Sequence, residues 1–316
     1  MTVPEVCTKS YTLNTGASIP AIGLGTWRST DDECYTAVMT ALQNGYTHID
    51  TARVYGNEEA VGRAINDFLK ESKTPRERLF ITTKLWCSEC QNPEKALKKS
   101  LQRLNLDYVD LYLTHWPVAI DPNSSELMPT NESGQRMVLP FEEWSYLDTY
   151  RGMQKLVTLG LTKAIGISNY NIPKIKRLLA DPEVEIVPAC LQVEMHPCLP
   201  QNDLVEFCKS NNIVVQCYSP LGSTGAPVLQ DETLKKIAAS KNVHPATVAI
   251  SWAVARDTVV LPKSVNPERI ISNLKVIELS DDCVKEISEI GERNPKRVVN
   301  PEWTVKKNIF ENFDYY

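Results

Sequence analysis

Six short, mostly apolar runs in this chain each close on a polar residue with usable chemistry. Thr47–Asp50 closes on an acid, Leu79–Lys84 on a lysine and Tyr108–His115 on a histidine. Lys163–Asn169 closes on Ser-Asn, Ile213–Ser219 on Tyr-Ser and Thr258–Ser264 on Lys-Ser. The stretches between them carry apolar residues at helical spacing. Strands alternating with helices predict a parallel sheet. If that sheet closes into a barrel, reactive side chains belong at the carboxyl ends of its strands.

The remaining punctuation fits an α/β (β/α)8 TIM barrel. Tyr11–Leu13 and Ser18–Pro20, joined through Asn14-Thr-Gly16, predict an N-terminal β-hairpin able to plug the barrel floor. Ile22–Gly25 is the first barrel strand. Asp31–Asn44 reads as a helix, with Cys34, Tyr35, Val38, Ala41 and Leu42 on one face, and it stops at Gly45. Pro93–Leu104 is a helix behind the cap Asn92. Pro182 and Pro188 mark the passage from a helix at Ile172–Leu179 to a strand at Ala189–Gln192. Thr233–Ser240 and Pro245–Arg256 are helices preceding a strand at Val259–Leu261. Two stretches exceed a minimal barrel. One is a long polar loop after strand 4, from Pro117 to about Trp144, of a length that often serves as a lid. The other is an irregular C-terminal tail from about Arg293, which holds Trp303, Phe310 and Phe313.

The length of 316 residues suits one such domain over positions 1–316, with 42% hydrophobic and 23% charged residues as in ordinary globular proteins. A net charge of −5 argues against nucleic acid as a partner. The N-terminus has no apolar core of signal-peptide length, and no apolar run is long enough for a membrane span. Nine cysteines without repeated spacing do not make a secreted disulfide framework. A cytoplasmic protein is expected, working as a monomer on a small molecule without a membrane partner. Cys87-Ser-Glu-Cys90 lacks the two further ligands that a zinc site needs, so no metal is expected. A redox role for that pair stays open.

Asp50, Lys84 and His115 end neighbouring strands, and Tyr55 follows Asp50 in the next loop. A free phenol has a pKa of about 10, and a neighbouring ammonium would lower it. An aspartate would keep that lysine charged and oriented, while a histidine could share a carbonyl oxygen with the phenol. The set suits a general-acid site for a substrate oxygen that becomes negative. Lys84 could instead form a Schiff base in a lyase or aldolase. In the second constellation, Leu261–Arg269, Asn266 is a helix cap and Pro267 suits the first helical position. Lys263, Ser264 and Arg269 then surround an anion site fit for a phosphate monoester such as the 2′-phosphate of NADP. Gly23-Leu-Gly25 lacks the third glycine of the Rossmann fingerprint.

With these residues in hand, the whole chain resembles an aldo-keto reductase. Three motifs carry the likeness. Gly45-Tyr-Thr-His-Ile-Asp-Thr-Ala52, with Tyr55-Gly-Asn-Glu58 and Val61-Gly62, is similar to the first family signature; Lys163–Tyr170 is similar to the second and Leu261–Asn273 to the third. Within the family it looks most like the yeast NADPH-dependent carbonyl- and glycerol-type reductases. The resemblance implies NADP(H) and reversible reduction of aldehydes and ketones. Tyr55 would be the proton donor, supported by Asp50 and Lys84, with His115 orienting the carbonyl. Gly25, Thr26, Trp27 and Asp50 would border the cofactor. Tyr218 would stack on the nicotinamide, and Ser168, Asn169 and Gln192 would hold its carboxamide. The strap containing Ser219, Leu221 and Ser223 would cross the pyrophosphate, and Lys263, Ser264, Val265, Arg269 and Asn273 would clasp the 2′-phosphate end. Trp27, Trp86, Trp116 and Trp303 would line the substrate pocket beside Tyr55 and His115. Some family members bind NADPH without catalysis, but all four reactive positions are intact here. Three positions depart from the pattern: Thr47 where many members have arginine, Ser272 where many have Glu or Gln, and Gly225 where many have an acid. That acid latches the strap through residues corresponding to Arg28 and Lys263, so the resemblance implies a looser strap and faster cofactor exchange.

Overall fold

A computed structural model of the chain describes residues 3–123, 126–134, 136–301 and 303. Phe310 and Phe313 lie outside the described residues.

Eight parallel strands form one sheet in sequence order: β1 (Leu24–Gly25), β2 (His48–Asp50), β3 (Phe80–Leu85), β4 (Val109–Thr114), β5 (Thr162–Ser168), β6 (Cys190–Glu194), β7 (Val214–Tyr218) and β8 (Val259–Leu261). Parallel bridges Ile22–Val260 and Gly25–Lys263 join the first strand to the last, so the sheet closes into the expected barrel. The strands are shorter than the apolar runs. His115, Asn169 and Ser219 each sit one residue beyond a strand, and Lys263 and Ser264 lie in the loop after β8.

Side chains along a strand alternate between its two faces. On β3, Ile81 and Leu85 pack outward against the helices, while Phe80 packs inward with Leu111, Leu113, Ala164, Cys190 and Val259. The hairpin Ser10–Thr12/Ser18–Pro20 pairs Tyr11 with Ile19, and Leu13 and Ile19 close the floor of this inner cluster. The same alternation turns Asp50, Lys84, Gln192 and Tyr218 into the barrel at its other end.

Helices α1 (Asp31–Gln43), α2 (Glu58–Ser72), α3 (Pro93–Leu104), α4 (Tyr146–Thr158) and α5 (Ile172–Leu179) wrap the first half of the sheet. Next come α6 (Asn202–Ser210), α7 (Glu232–Lys241), α8 (Pro245–Ala255) and α9 (Pro267–Asn273). The caps read from sequence act as caps. Asn92 accepts from the Lys95 amide at 3.1 Å and Asn266 from the Arg269 amide at 3.0 Å. Helix α1 is followed by Gly45 at φ +96°, a conformation glycine adopts without strain. Gly62 has a different reason: a Cβ there would lie 2.3 Å from the Leu104 carbonyl oxygen, so only glycine lets α2 approach the end of α3.

Candidate active site

Lys84 sits inside the barrel, where its Nζ donates to Asp50 Oδ1 at 2.6 Å and to the Thr51 carbonyl at 2.9 Å. Asp50 Oδ2 accepts from Gln192 Nε2 at 2.8 Å, so both carboxylate oxygens are satisfied. Tyr55 closes a short 3-10 turn, Arg53–Tyr55, directly after β2. Its ring lies 5.2 Å from Lys84 Nζ and 5.7 Å from the His115 ring. The structure therefore gathers the four sequence-predicted reactive residues at one end of the barrel.

Their protonation follows from burial. Burial pulls the Lys84 ammonium below its ordinary pKa, and the charge and hydrogen bond of Asp50 offset part of that. Burial, then the Lys84 charge, holds the His115 imidazole well below its usual value, so the ring is neutral at physiological pH. Its Nδ1 is buried without a hydrogen-bond partner among the described residues. Burial and then the Asp50 carboxylate push the Tyr55 phenol well above its ordinary value. This corrects the expectation of a lysine-lowered phenol: Lys84 faces the ring, and desolvation dominates.

Beside these groups, Asn169 is held at φ +66° and spans three strand tops. Its Nδ2 donates to the His115 carbonyl at 2.9 Å and to Ser168 Oγ at 3.1 Å, and its Oδ1 accepts from Tyr218 Oη at 2.8 Å. Gln192 Nε2 is shared between Asp50 and Gln216 Oε1, at 2.8 Å each, which leaves its own Oε1 as the acceptor for a ligand. Thr26 is buried, and its hydroxyl donates to the Asp50 carbonyl at 3.1 Å.

Trp86, Trp116 and Trp303 form one wall of the mouth. The Trp303 ring lies 6.0 Å from that of Trp86 and 5.4 Å from that of Trp116. The Trp86 ring stands edge-on to His115 at 5.2 Å. Val118, Ile120 and Leu127 of the long loop pack on this cluster, and Trp86 Nε1 donates to the Leu127 carbonyl. Loop and tail both fold over the reactive end. Trp27 stands apart: it is exposed at the rim, beneath the Arg28 guanidinium at 4.4 Å, and borders a cavity of about 590 Å³ between the strap and the tail. Ser223 and Gly222 line the same cavity, and Leu221 packs on the core.

At the third motif, Lys263 Nζ donates to the Arg28 carbonyl at 3.2 Å, and the Ser264 hydroxyl accepts from the Asn266 amide at 3.1 Å. Val265 and Arg269 are exposed, while Asn273 is buried at the end of α9.

Residues 21–292 match the Aldo/keto reductase family. The chain belongs to that family. It is 52% identical over 303 residues to the glycerol 2-dehydrogenase (NADP(+)) of Saccharomyces cerevisiae, covering 94% of this chain and 96% of that one. It is 50% identical over 297 residues to aldehyde reductase YPR1 of the same yeast, covering 92% and 94%. The solved structure of the aldose reductase from Schistosoma japonicum superposes with a TM-score of 0.86 at 37% identity, covering 93% of this chain and 95% of that one.

Two residues of this aldo/keto reductase went unread in the sequence. Asn57 is buried and staples the loop after β1 to the loop after β2, donating to the Thr26 carbonyl at 2.9 Å and accepting from the Thr51 hydroxyl at 3.2 Å. Glu58 is buried behind β3 and accepts from Thr83 Oγ1 and Arg103 Nε, each at 2.7 Å, and from Ser100 Oγ at 3.2 Å. The signal for both was their place in Tyr55-Gly-Asn-Glu58. Their role is to hold the Tyr55 turn on the barrel.

Proposed function

We propose that this protein reduces aldehydes and ketones with NADPH, reversibly, with Tyr55 as the proton donor. The reading is carried by the buried Lys84–Asp50 pair lying beneath Tyr55 and a neutral His115 in a tryptophan-walled mouth. NADP(H) fits the residues present. Gln192 Oε1, Ser168 and the face of Tyr218 suit an amide-bearing ring. Neither Lys263 nor Arg269 is engaged in a salt bridge among the described residues. That leaves both cations available, with the Ser264 hydroxyl, to a phosphate monoester. When bound, the reduced nicotinamide supplies the hydride for the carbonyl carbon.

The chain's own groups handle the oxygen. The carbonyl oxygen is received between Tyr55 Oη and the His115 imidazole, and a neutral ring donates one hydrogen bond without adding charge. As that oxygen turns negative, Tyr55 gives up its proton. An alkoxide is a far stronger base than a phenolate, so the phenol is the acid of the pair. The phenolate left behind lies next to the Lys84 ammonium, which Asp50 and the Thr51 carbonyl hold in place. The tryptophan wall excludes water and favours apolar substituents on the substrate.

Schiff-base chemistry at Lys84 is disfavoured, because its nitrogen is buried and already donates to Asp50 and Thr51. The decisive experiment is Tyr55→Phe assayed by NADPH oxidation with a simple aldehyde. Turnover should fall by roughly 10²–10⁴-fold, the usual worth of a positioned acid, while NADPH affinity stays within about twofold of wild type. Near-wild-type turnover would remove Tyr55 from its role. Borohydride trapping of substrate on Lys84 would favour a lyase.

A further inference from the structure

In the inward register of the barrel, the strand tops carry the groups assigned above to carbonyl and cofactor, with one omission. The top of β6 presents Glu194, paired in register with Tyr218 on β7. Its side chain is fully buried, and three donors occupy it. His196 Nε2 lies 2.8 Å from Oε1, the Val298 amide donates to Oε1 at 2.8 Å, and the Val299 amide donates to Oε2 at 2.7 Å. Two consecutive amides of the tail thus converge on a carboxylate that belongs to the barrel. A buried carboxylate tolerates that environment only while its oxygens are hydrogen-bonded, and charge-assisted bonds of this kind are strong and directional.

The carboxylate is itself held firmly. The loop after β6 folds back through mutual backbone bonds between His196 and Leu199. Gln201 Nε2 donates to the Glu194 carbonyl at 3.1 Å, and Arg256 clamps the Pro200 carbonyl at 2.7 Å from the end of α8. A few residues beyond the clamped amides, the same tail delivers Trp303 into the wall of the mouth against Trp116 and Trp86. Val299 also packs on that cluster. The barrel therefore sets where the tail crosses the site, and the crossing point sets where Trp303 stands.

We propose that Glu194, oriented by His196, is a positioning residue for substrate selection. By fixing the tail backbone at Val298 and Val299, it holds Trp303 as a wall of the carbonyl pocket. The proposal builds on the reductase reading for what the pocket selects, but the tether itself can be measured without turnover. Substrates with an aromatic or long apolar substituent lean on Trp303, and short aldehydes do not reach it. Loosening the tether then weakens binding of the former and leaves the chemical step at Tyr55 largely unaffected.

Three measurements test this. Hydrogen exchange on the intact wild-type protein should show the Val298 and Val299 amides protected like those of the barrel strands, and exchange at the rate of a free chain would overturn the tether. In Glu194→Gln, one carboxylate oxygen becomes a donor facing other donors, so KM for benzaldehyde should rise by roughly tenfold relative to propanal with kcat changed less than about twofold. Equal changes for the two aldehydes would mean a merely structural role. Glu194→Gln should also red-shift tryptophan emission, and both effects should vanish when it is made on top of Trp303→Phe. Full additivity there would overturn the proposal. Failure of the wild type to reduce either aldehyde would count against the reductase reading, while the exchange and emission results would still decide the tether.

Discussion

The two ends of this barrel are built from the same strands, yet they handle charge in opposite ways. At the carboxyl end Lys84, Asp50 and His115 are buried together with Tyr55 half-buried over them, and three of the four are shifted from their ordinary pKa values. At the amino end the inner cluster around Phe80 is apolar apart from His48, floored by Leu13 and Ile19, and the Asp110 carboxylate lies at the outer edge among cations. Asp110 accepts from Arg76 at 2.8 Å and from the Ile81 amide at 2.9 Å, and pairs with Lys163 at 3.0 Å. Both cations also lie over the Tyr108 ring, each at 4.4 Å. One end keeps ionisable groups under tension, as reactive sites do. The other pairs its rim charges and contributes stability. The ends should therefore respond differently to substitution.

The largest effect should come from Lys84→Met at the reactive end. It strands the Asp50 carboxylate with Gln192 as its remaining side-chain partner. Breaking a buried pair costs about 3–5 kcal/mol, and loss of the cation beside the phenol should lower kcat/KM by at least ~10²-fold. Urea melts and steady-state kinetics read the two losses together. A variant that lost only stability would place the reactive end in the same class as the other.

His48 tests the apolar interior of the amino end. It lies against Phe80, with ring centres 5.0 Å apart, and burial, opposed chiefly by the Asp50 charge, pulls its pKa down to about 4. An unfolded histidine takes up its proton near pH 6.5. Between the two values the unfolded chain binds more protons than the folded one, so stability falls as pH drops through that window and levels off below it. The loss is about 3 kcal/mol between pH 7 and pH 4, at about 1.4 kcal/mol per unit. Urea midpoints across this range should fall more steeply for wild type than for His48→Gln. Matching slopes would show that another group carries the acid sensitivity.

Asp110→Asn breaks the paired rim of the amino end. Arg76 and Lys163 are partly exposed, so the cost should be about 2 kcal/mol, below that of a fully buried pair. Turnover should stay within about twofold, because the cluster lies at the end remote from Tyr55. A large fall in kcat would mean that the two ends are coupled through the strands.

The contrast also explains what could be read from the sequence. Strand tops were legible because a run of apolar residues ending in Asp, Lys or His announces where a buried strand meets a site. Caps such as Asn92 and Asn266 were legible because their chemistry is local. The antiparallel pairing of Glu5–Val6 with Lys275–Val276 was not, since nothing local marks partners so far apart. Glu194 stayed silent for the same reason, since a single acid in sequence does not reveal donors arriving from other elements, and Glu58 was marked by its motif without its partners being readable. The Tyr55 phenol was misjudged in direction because proximity to Lys84 can be guessed from strand ends, but depth of burial cannot.

The smallest effect concerns the strap, where the reactive end is least tied down. Gly225 has φ +82°, and no atom lies within 4 Å of where its Cβ would be. The side-chain tie of the strap to the rim is the bond from Arg28 Nη1 to Thr224 Oγ1, at 3.2 Å and exposed. A single solvent-exposed bond from a guanidinium to a hydroxyl competes poorly with water. An acid at 225 would add a charge near Arg28, which already reaches the neighbouring Thr224. Space is available, and aspartate tolerates left-handed backbone better than most residues. Exposed ion pairs contribute at most about 1 kcal/mol, so Gly225→Asp should slow NADP release by no more than about fivefold, with the benefit fading at high salt. Stopped-flow release from wild type and variant at low and high ionic strength separates the cases. Equal rates at low salt would mean that the strap is not what limits cofactor exchange, and that the looseness of this rim lies elsewhere, with the tail the first place to look.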